Sequence, residues 1–410
     1  MKNSLAIAAL AALTLLGCNH PEVEIVNLDE YGGDFRAMSI KESDVFLSDG
    51  SLNPEISMME EPDDAPATKV AYTDANSIVR NILGDVKCNS LIHIAGTYTG
   101  HDIDGSPLVQ SGKLLIPKTG PVKNLMIVSH YTIGANFEAP SQTFPMEGIW
   151  ASKGYAVVIA DYIGYGVTAR RIHPYMHIES TARSVMDMAL AVKPYLEHIG
   201  RAPESDEVIL AGYSQGGATS IAVMQFIEDE YSDELPIKKI YAGGGPYDLA
   251  ATYDTCIEWD ETGIPCAIPM IVQGINEGDD LGLKMEDFFK PGLLAGYSEW
   301  INSKRYTVKE INAKIGANKL SEIMTEGGRD KNNRETARLY QSLLANSVLR
   351  CVPTAPMYMF HSNQDKTVPF INALKAEERF KGREVHYDFG EYGKHGMGAV
   401  HFMVKVYKDL

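Results

Sequence analysis

Positive charge is what this chain has least of relative to need. Its 410 residues carry 37 Lys and Arg against 54 Asp and Glu, a formal net charge of −17. That balance excludes a nucleic-acid partner, because too little is present to neutralise phosphates. Cysteine is scarce too, with five residues, no C-x-x-C pair and no clustered zinc pattern. The pair His173 and His177 brackets Pro174 and lacks a third ligand, so both read as surface or pocket-wall histidines, and no metal is expected. The apolar run at residues 5–16 is too short to cross a bilayer. Internal repeats are missing, which excludes a propeller or solenoid.

What is present begins with an address. Lys2 precedes the apolar run, which closes on Leu15-Leu16-Gly17-Cys18. A positive start, a short apolar stretch and a small residue before cysteine describe a signal peptide at residues 1–17 ending in a bacterial lipobox. Cys18 would become the lipidated first residue of an exported protein held on a membrane, at the periplasmic face or the cell surface. From Asn19 to Asp74 there are 14 acidic residues against Arg36, Lys41 and Lys69. Few apolar runs interrupt them, so residues 18–75 read as a solvated acidic tether. Four cysteines remain after Cys18, an even number that suits disulfides in an exported protein. Cys256 and Cys266 flank a Gly-Pro turn and are the expected pair.

From about Ser90 the pattern alternates. Residues 91–99 and 110–116 read as strands around the turn Asp102-Ile103-Asp104-Gly105. Unbroken apolar strands follow at residues 125–129, 155–160, 207–211, 239–242 and 357–360, separated by helical patterns such as Val185, Met188, Val192 and Leu196. Continuous apolar strands between helices indicate a mostly parallel α/β sheet with helices on both faces. The core would run over residues 76–248 and 351–410. Residues 249–350 break the rhythm and read as an inserted helical cap with an aromatic cluster that includes Phe288 and Trp300.

The chemistry is concentrated at Gly212-Tyr213-Ser214-Gln215-Gly216-Gly217. An apolar strand precedes it and a helix follows, the setting of a nucleophile elbow. A serine hydroxyl is a poor nucleophile at neutral pH. It needs a base, and the base needs an orienting acid. Asp365 follows a late strand and His395 follows the last one, in the flexible-looking stretch Gly393-Lys394-His395-Gly396. His401, six residues on, falls within a packed helical pattern. The expected triad is therefore Ser214, Asp365 and His395, which calls for no cofactor.

These motifs, with Asp161-Tyr162-Ile163-Gly164-Tyr165-Gly166 and the following His173-Pro174-Tyr175, resemble the α/β-hydrolases. The closer likeness is to the secreted lipase and esterase group, including bacterial lipoproteins, over roughly residues 90–410. The resemblance implies an ester substrate, lipid or acylated glycan, cleaved through an acyl-enzyme. It implies an oxyanion hole from the amide of Gln215 and an amide of His130-Tyr131-Thr132, with Thr132 the expected donor. Tyr131 stands where related chains carry glycine. Tyr131, Tyr213, Phe288 and Trp300 are expected to contact substrate. Two other readings use the same residues: a serine peptidase of the prolyl type, and a surface binding protein on a hydrolase scaffold. The first lacks its usual propeller domain, and the second does not explain a complete triad.

Overall fold

The computed structural model describes residues 31–48, 51–57 and 88–410. The signal-peptide and Cys18 readings lie outside them. The strands are β1 (Arg36–Asp44), β2 (Ile56–Ser57), β3 (Ser90–His101), β4 (Pro107–Pro117), β5 (Leu125–Ser129), β6 (Phe144–Pro145), β7 (Ala156–Ala160), β8 (Val208–Tyr213), β9 (Ile237–Gly243), β10 (Met357–Ser362) and β11 (Val385–Gly390). One sheet takes the order β1-β3-β4-β7-β5-β8-β9-β10-β11, while β2 and β6 pair separately. From β7 to β11 all neighbours are parallel. The β1-β3-β4 edge is antiparallel and joins β7 antiparallel.

The sequence explains this division. In β5, β7 and β8 every residue is buried, as parallel strands covered on both faces must be. Alternate residues of one strand feed opposite cores. Leu125 and Ile127 pack with Val185, Val192 and Ile221 on one face. Met126 and Val128 pack with Trp150, Phe402 and Met403 on the other. The helices that cover the sheet are α1 (Ile178–His198) and α2 (Gln215–Phe226) on the first face, and the C-terminal helix His395–Asp409 on the second. Each fully buried aliphatic side chain contributes about 1.5–3 kcal/mol. That exceeds the roughly 1–2 kcal/mol needed to order one residue's backbone, so the central strands hold the sheet.

Between β9 and β10 the chain leaves the sheet as a helical insert. It comprises α3 (Leu249–Trp259), α4 (Ala267–Gly278), α5 (Val308–Ile315) and α6 (Arg334–Ala345), with short turns between them. After β10 come α7 (Ile371–Arg379) and, after β11, α8 (His395–Asp409).

Two expectations are corrected here. The acidic composition predicts a solvated tether through residue 75, but β1 is an edge strand of the main sheet, paired with β3 from Arg36↔Thr97 to Asp44↔Ser90. Its side chains are largely exposed, so no apolar pattern marks it. Backbone hydrogen bonds hold it, and Phe35 and Val45, both fully buried, pin its two ends. Gly96 makes room, since a Cβ there would come within 2.4 Å of the Phe35 ring. The second correction concerns Cys256 and Cys266, which are free, as are Cys88 and Cys351, and all four are buried. Cys256 lines an apolar cavity of about 40 Å³ with Leu249, Ile268, Val272 and Leu339. Cys266 precedes α4 as its N-terminal cap residue, its backbone N–H donating to Asn312 Oδ1 at 2.8 Å. Each thiol serves apolar packing, and burial pushes the Cys256 thiol up to about 12, which removes its reactivity.

Glu147 is buried beneath the sheet at a cost. It lies in the turn Met146–Lys153, 1% exposed, with neither carboxyl oxygen hydrogen-bonded. Burial pushes its pKa from 4.5 up to about 7. Between those values the folded state holds a proton that the unfolded chain releases. Its contribution is therefore complete below pH 4.5 and declines by about 3 kcal/mol as pH rises to 7. Glu147→Gln should abolish that decline. Urea unfolding of both proteins from pH 4.5 to 7.5 is the measurement: the variant should gain on the parent steadily with pH. A difference independent of pH would contradict the assignment.

Candidate active site

Ser214 stands between the last residue of β8 and the first of α2. Its backbone has φ 58° and ψ −125°, a conformation few non-glycine residues adopt and one that costs about 1–3 kcal/mol. The crossing around it is tight. A Cβ on Gly212 would lie 2.2 Å from Gly216 O, and one on Gly216 would lie 2.0 Å from Ser129 O. Ser214 N–H donates to Gly243 O at 2.9 Å, and Ser214 O accepts from Gly217 N–H at 2.9 Å. The turn is thus held from β9 and from α2 while its hydroxyl projects away from the sheet.

The hydroxyl meets His395, with Nε2 2.8 Å from Ser214 Oγ. His395 Nδ1 lies 2.5 Å from Asp365 Oδ2. Ser214, His395 and Asp365 are all buried. The other Asp365 oxygen accepts from the N–H groups of Thr367 and Val368 at 2.8 and 2.9 Å. Burial pushes the Asp365 carboxyl up, but His395, His361 and the backbone donors outweigh it, and the pKa lies below the ordinary value. An ionised Asp365 keeps the proton of His395 on Nδ1 and leaves Nε2 bare to accept from the serine.

His395 is not a loop residue, as the flanking glycines suggest, but the first residue of α8. Two bonds brace this start. Tyr213 OH donates to His395 O at 2.8 Å, and Ser362 Oγ donates to Gly393 O at 2.5 Å. Histidine and acid are thereby tied to β8 and β10 together.

The opposite wall comes from three loops. Gln215 is the first helical residue of α2, where an amide has no intrahelical acceptor. Among the described residues neither its N–H nor that of Thr132 is engaged by another backbone group. Thr132 Oγ1 lies 2.7 Å from Tyr175 OH. His173 Nδ1 donates to Ile163 O at 2.7 Å, so its bare Nε2 accepts from Gln215 Nε2 at 3.2 Å. Burial, reinforced by Lys304, holds His173 well below its ordinary pKa and therefore neutral. The insert closes this side, since a Cβ on Gly134 would lie 2.5 Å from Tyr306 O.

The sequence profile described as secretory lipase matches residues 149–406, well over half of the chain. The chain belongs to the secretory lipase family. The match includes Ser214, Asp365 and His395. A curated relative, the secreted triacylglycerol lipase LIP1 of Malassezia furfur, is 21% identical over 263 residues, 63% of this chain and 50% of the relative. The chain thus spans about half the length of the curated relative it matches. Among solved structures, a mutant form of the rice cell wall degrading esterase LipA from Xanthomonas oryzae aligns with TM-score 0.69 and 25% identity, over 82% of this chain and 92% of that one. Candida antarctica lipase A aligns at TM-score 0.56 and 17% identity, over 74% and 73%. The fold is that of the α/β-hydrolases.

Within this secretory lipase family member, the four residues expected at the substrate divide. Tyr131 is buried beside Thr132, in the core on the second sheet face. Tyr213 is 1% exposed, and its hydroxyl is committed to His395 O, so it braces the histidine instead of meeting substrate. Its position as the last strand residue before the elbow turns it under the sheet. Phe288 is fully buried inside the insert, with its carbonyl accepting from Thr325 N–H at 2.9 Å. Trp300 lies over Gly296, where a Cβ would come within 2.0 Å of its ring. Phe288 packs inside the core of the insert, where separate short helices must bury one another, while Trp300 is half-buried against that core. Lys304 carries no motif of its own. His173-Pro174-Tyr175 is visible as a pattern, but only its contacts show what each ring does.

Gly216→Ala tests the crossing. Its new methyl group would meet the Ser129 carbonyl, which is backbone and cannot rotate away. A loss of about 3 kcal/mol or more, or failure to fold, is expected from chemical denaturation. Unchanged stability would show that β5 and α2 are not as close as described.

Proposed function

We propose that the chain is a carboxylic-ester hydrolase, a lipase or esterase, that works through an acyl-enzyme on Ser214. The observation that carries this reading is the continuous hydrogen-bonded line Asp365–His395–Ser214 at a positive-φ serine. Ser214 Oγ attacks the ester carbonyl as His395 Nε2 takes its proton. Asp365 stabilises the imidazolium formed. The oxyanion is held by the amides of Gln215 and Thr132, each worth about 3–4 kcal/mol in sites of this kind. The imidazolium then protonates the departing alcohol. Water, activated by the same histidine, releases the acid and restores the serine. The helical insert acts as a cap that limits water entry.

The substrate class follows as an ester of a lipid or of an acylated glycan. Family membership supports it, as do the names of the two relatives, one on triacylglycerol and one on plant cell wall. Export is supported by the same secreted relative. For location we take Cys18 to be lipidated after removal of residues 1–17, which places the enzyme on a membrane by its acyl anchor.

Ser214→Ala should abolish hydrolysis of nitrophenyl esters and labelling by a fluorophosphonate, with unfolding little changed. Labelling of another residue would sink the assignment. His395→Ala should cost about four orders of magnitude in turnover. His401, half-buried against the Tyr392 ring at 5.3 Å, should affect mainly thermal stability when changed to Ala. The reverse pattern would exchange their roles. For the anchor, Cys18→Ser should move the protein from membrane to soluble fractions. Persistent membrane association would exclude lipidation at Cys18 as its cause.

A further inference from the structure

Lys304 is a buried cation that the proposed ester chemistry does not use. It lies in the insert, 4% exposed, with φ 55°. Its neighbour Arg305 is exposed and paired with Glu299, so the loop does not bury charge in general. Among the described residues no carboxylate forms an ion pair with the Lys304 ammonium. Its contact is the face of the Tyr165 ring, 4.6 Å from Nζ to centroid. One aromatic face offsets only part of the cost of burying a charge. Burial pushes the pKa down to about 8, so the group is still mostly charged at neutral pH.

Its place is beside the candidate active site. The Tyr165 ring stands 5.1 Å from His173, which in turn bonds the side chain of Gln215. On the other side, Lys304 O accepts from Asn136 N–H at 2.8 Å, four residues beyond Thr132. The ring under the ammonium thus packs on the wall that carries Gln215, and the Lys304 backbone is tied to the loop that carries Thr132. The protein as a whole is strongly acidic. Long-range attraction cannot bring an anion here, but charges more than about 8 Å apart are largely screened at physiological salt. A near, desolvated cation then dominates.

We propose that Lys304 anchors an anionic group, a carboxylate or a phosphate, that the ester substrate carries away from its scissile carbonyl. The proposal rests on the hydrolase reading and narrows its substrate class. Lysine suits the task as a point charge that accepts either anion without a fixed fork geometry.

The test compares matched pairs with the full-length protein. One pair places the charge on the acyl side: nitrophenyl hydrogen glutarate against its neutral methyl ester. The other places it on the alcohol side: diacetylglycerol 3-phosphate against diacetylglycerol. In at least one pair kcat/KM for the anion should exceed the neutral value by about 10-fold or more, the range of a charge-assisted hydrogen bond. The pair that responds identifies the source of the anion. Lys304→Met should collapse that ratio to one or below, and Lys304→Arg should retain most of it. Neutral preference in both pairs by the unaltered protein overturns the proposal without any variant, and so does a ratio that survives Lys304→Met. Turnover of neutral esters alone leaves the hydrolase reading standing while this one falls. If no ester is cleaved, calorimetric titration of glutarate decides the anion site separately: binding lost in Lys304→Met supports it, and no binding to the unaltered protein rejects it.

Discussion

The close passage of β8, α2 and β5 around Ser214 sets the terms for the rest of the molecule. Gly212 and Gly216 bring backbone within distances that no Cβ would allow, and the serine between them is held at positive φ. Such a conformation persists only where surrounding structure over-determines it. Here the fully buried strands on either side supply that stiffness. The strain is thus balanced by the same parallel sheet that brings the other loops to one edge.

Electrostatics at that edge depends on burial as much as on charge. Asp365 is buried yet stays ionised because two backbone N–H groups and His395 surround it. Glu147, equally buried but without partners, is pushed toward its neutral form. Two buried carboxyl groups, an Asp and a Glu, shift in opposite directions because only one has donors. His173 and Lys304 repeat the contrast among cations, since the histidine gives up its charge while the lysine largely keeps it.

The helical insert reaches the site through a few backbone positions. Lys304 and residues 306–308 press on the loop that carries Thr132, while Phe288 stays buried within the insert. Residues that look suited to substrate by type are occupied in holding short helices together. The residue that does face the loops, Lys304, belongs to a polar stretch without an evident pattern. A hydrophobic or aromatic count therefore misreads where the insert meets the core.

The alternation of apolar strands and helices, the elbow at Ser214, and the chain order of the three residues proposed for catalysis are written locally, because each depends on spacing and on residues adjacent in the chain. That Asp365 and His395 could meet Ser214 was legible because each follows a late strand. Pairing across the chain was not. β1 is invisible in composition, since an edge strand is held by backbone bonds and its side chains remain polar. The suggestion of a Cys256–Cys266 bridge came from proximity along the chain, and the two thiols instead serve separate packing sites on α3 and α4. Which way Tyr213 faces, what His173 holds, and that Lys304 is buried without a counter-ion were decided only by tertiary packing. Burial and partnership are properties of residues far apart in sequence, and no local pattern encodes them.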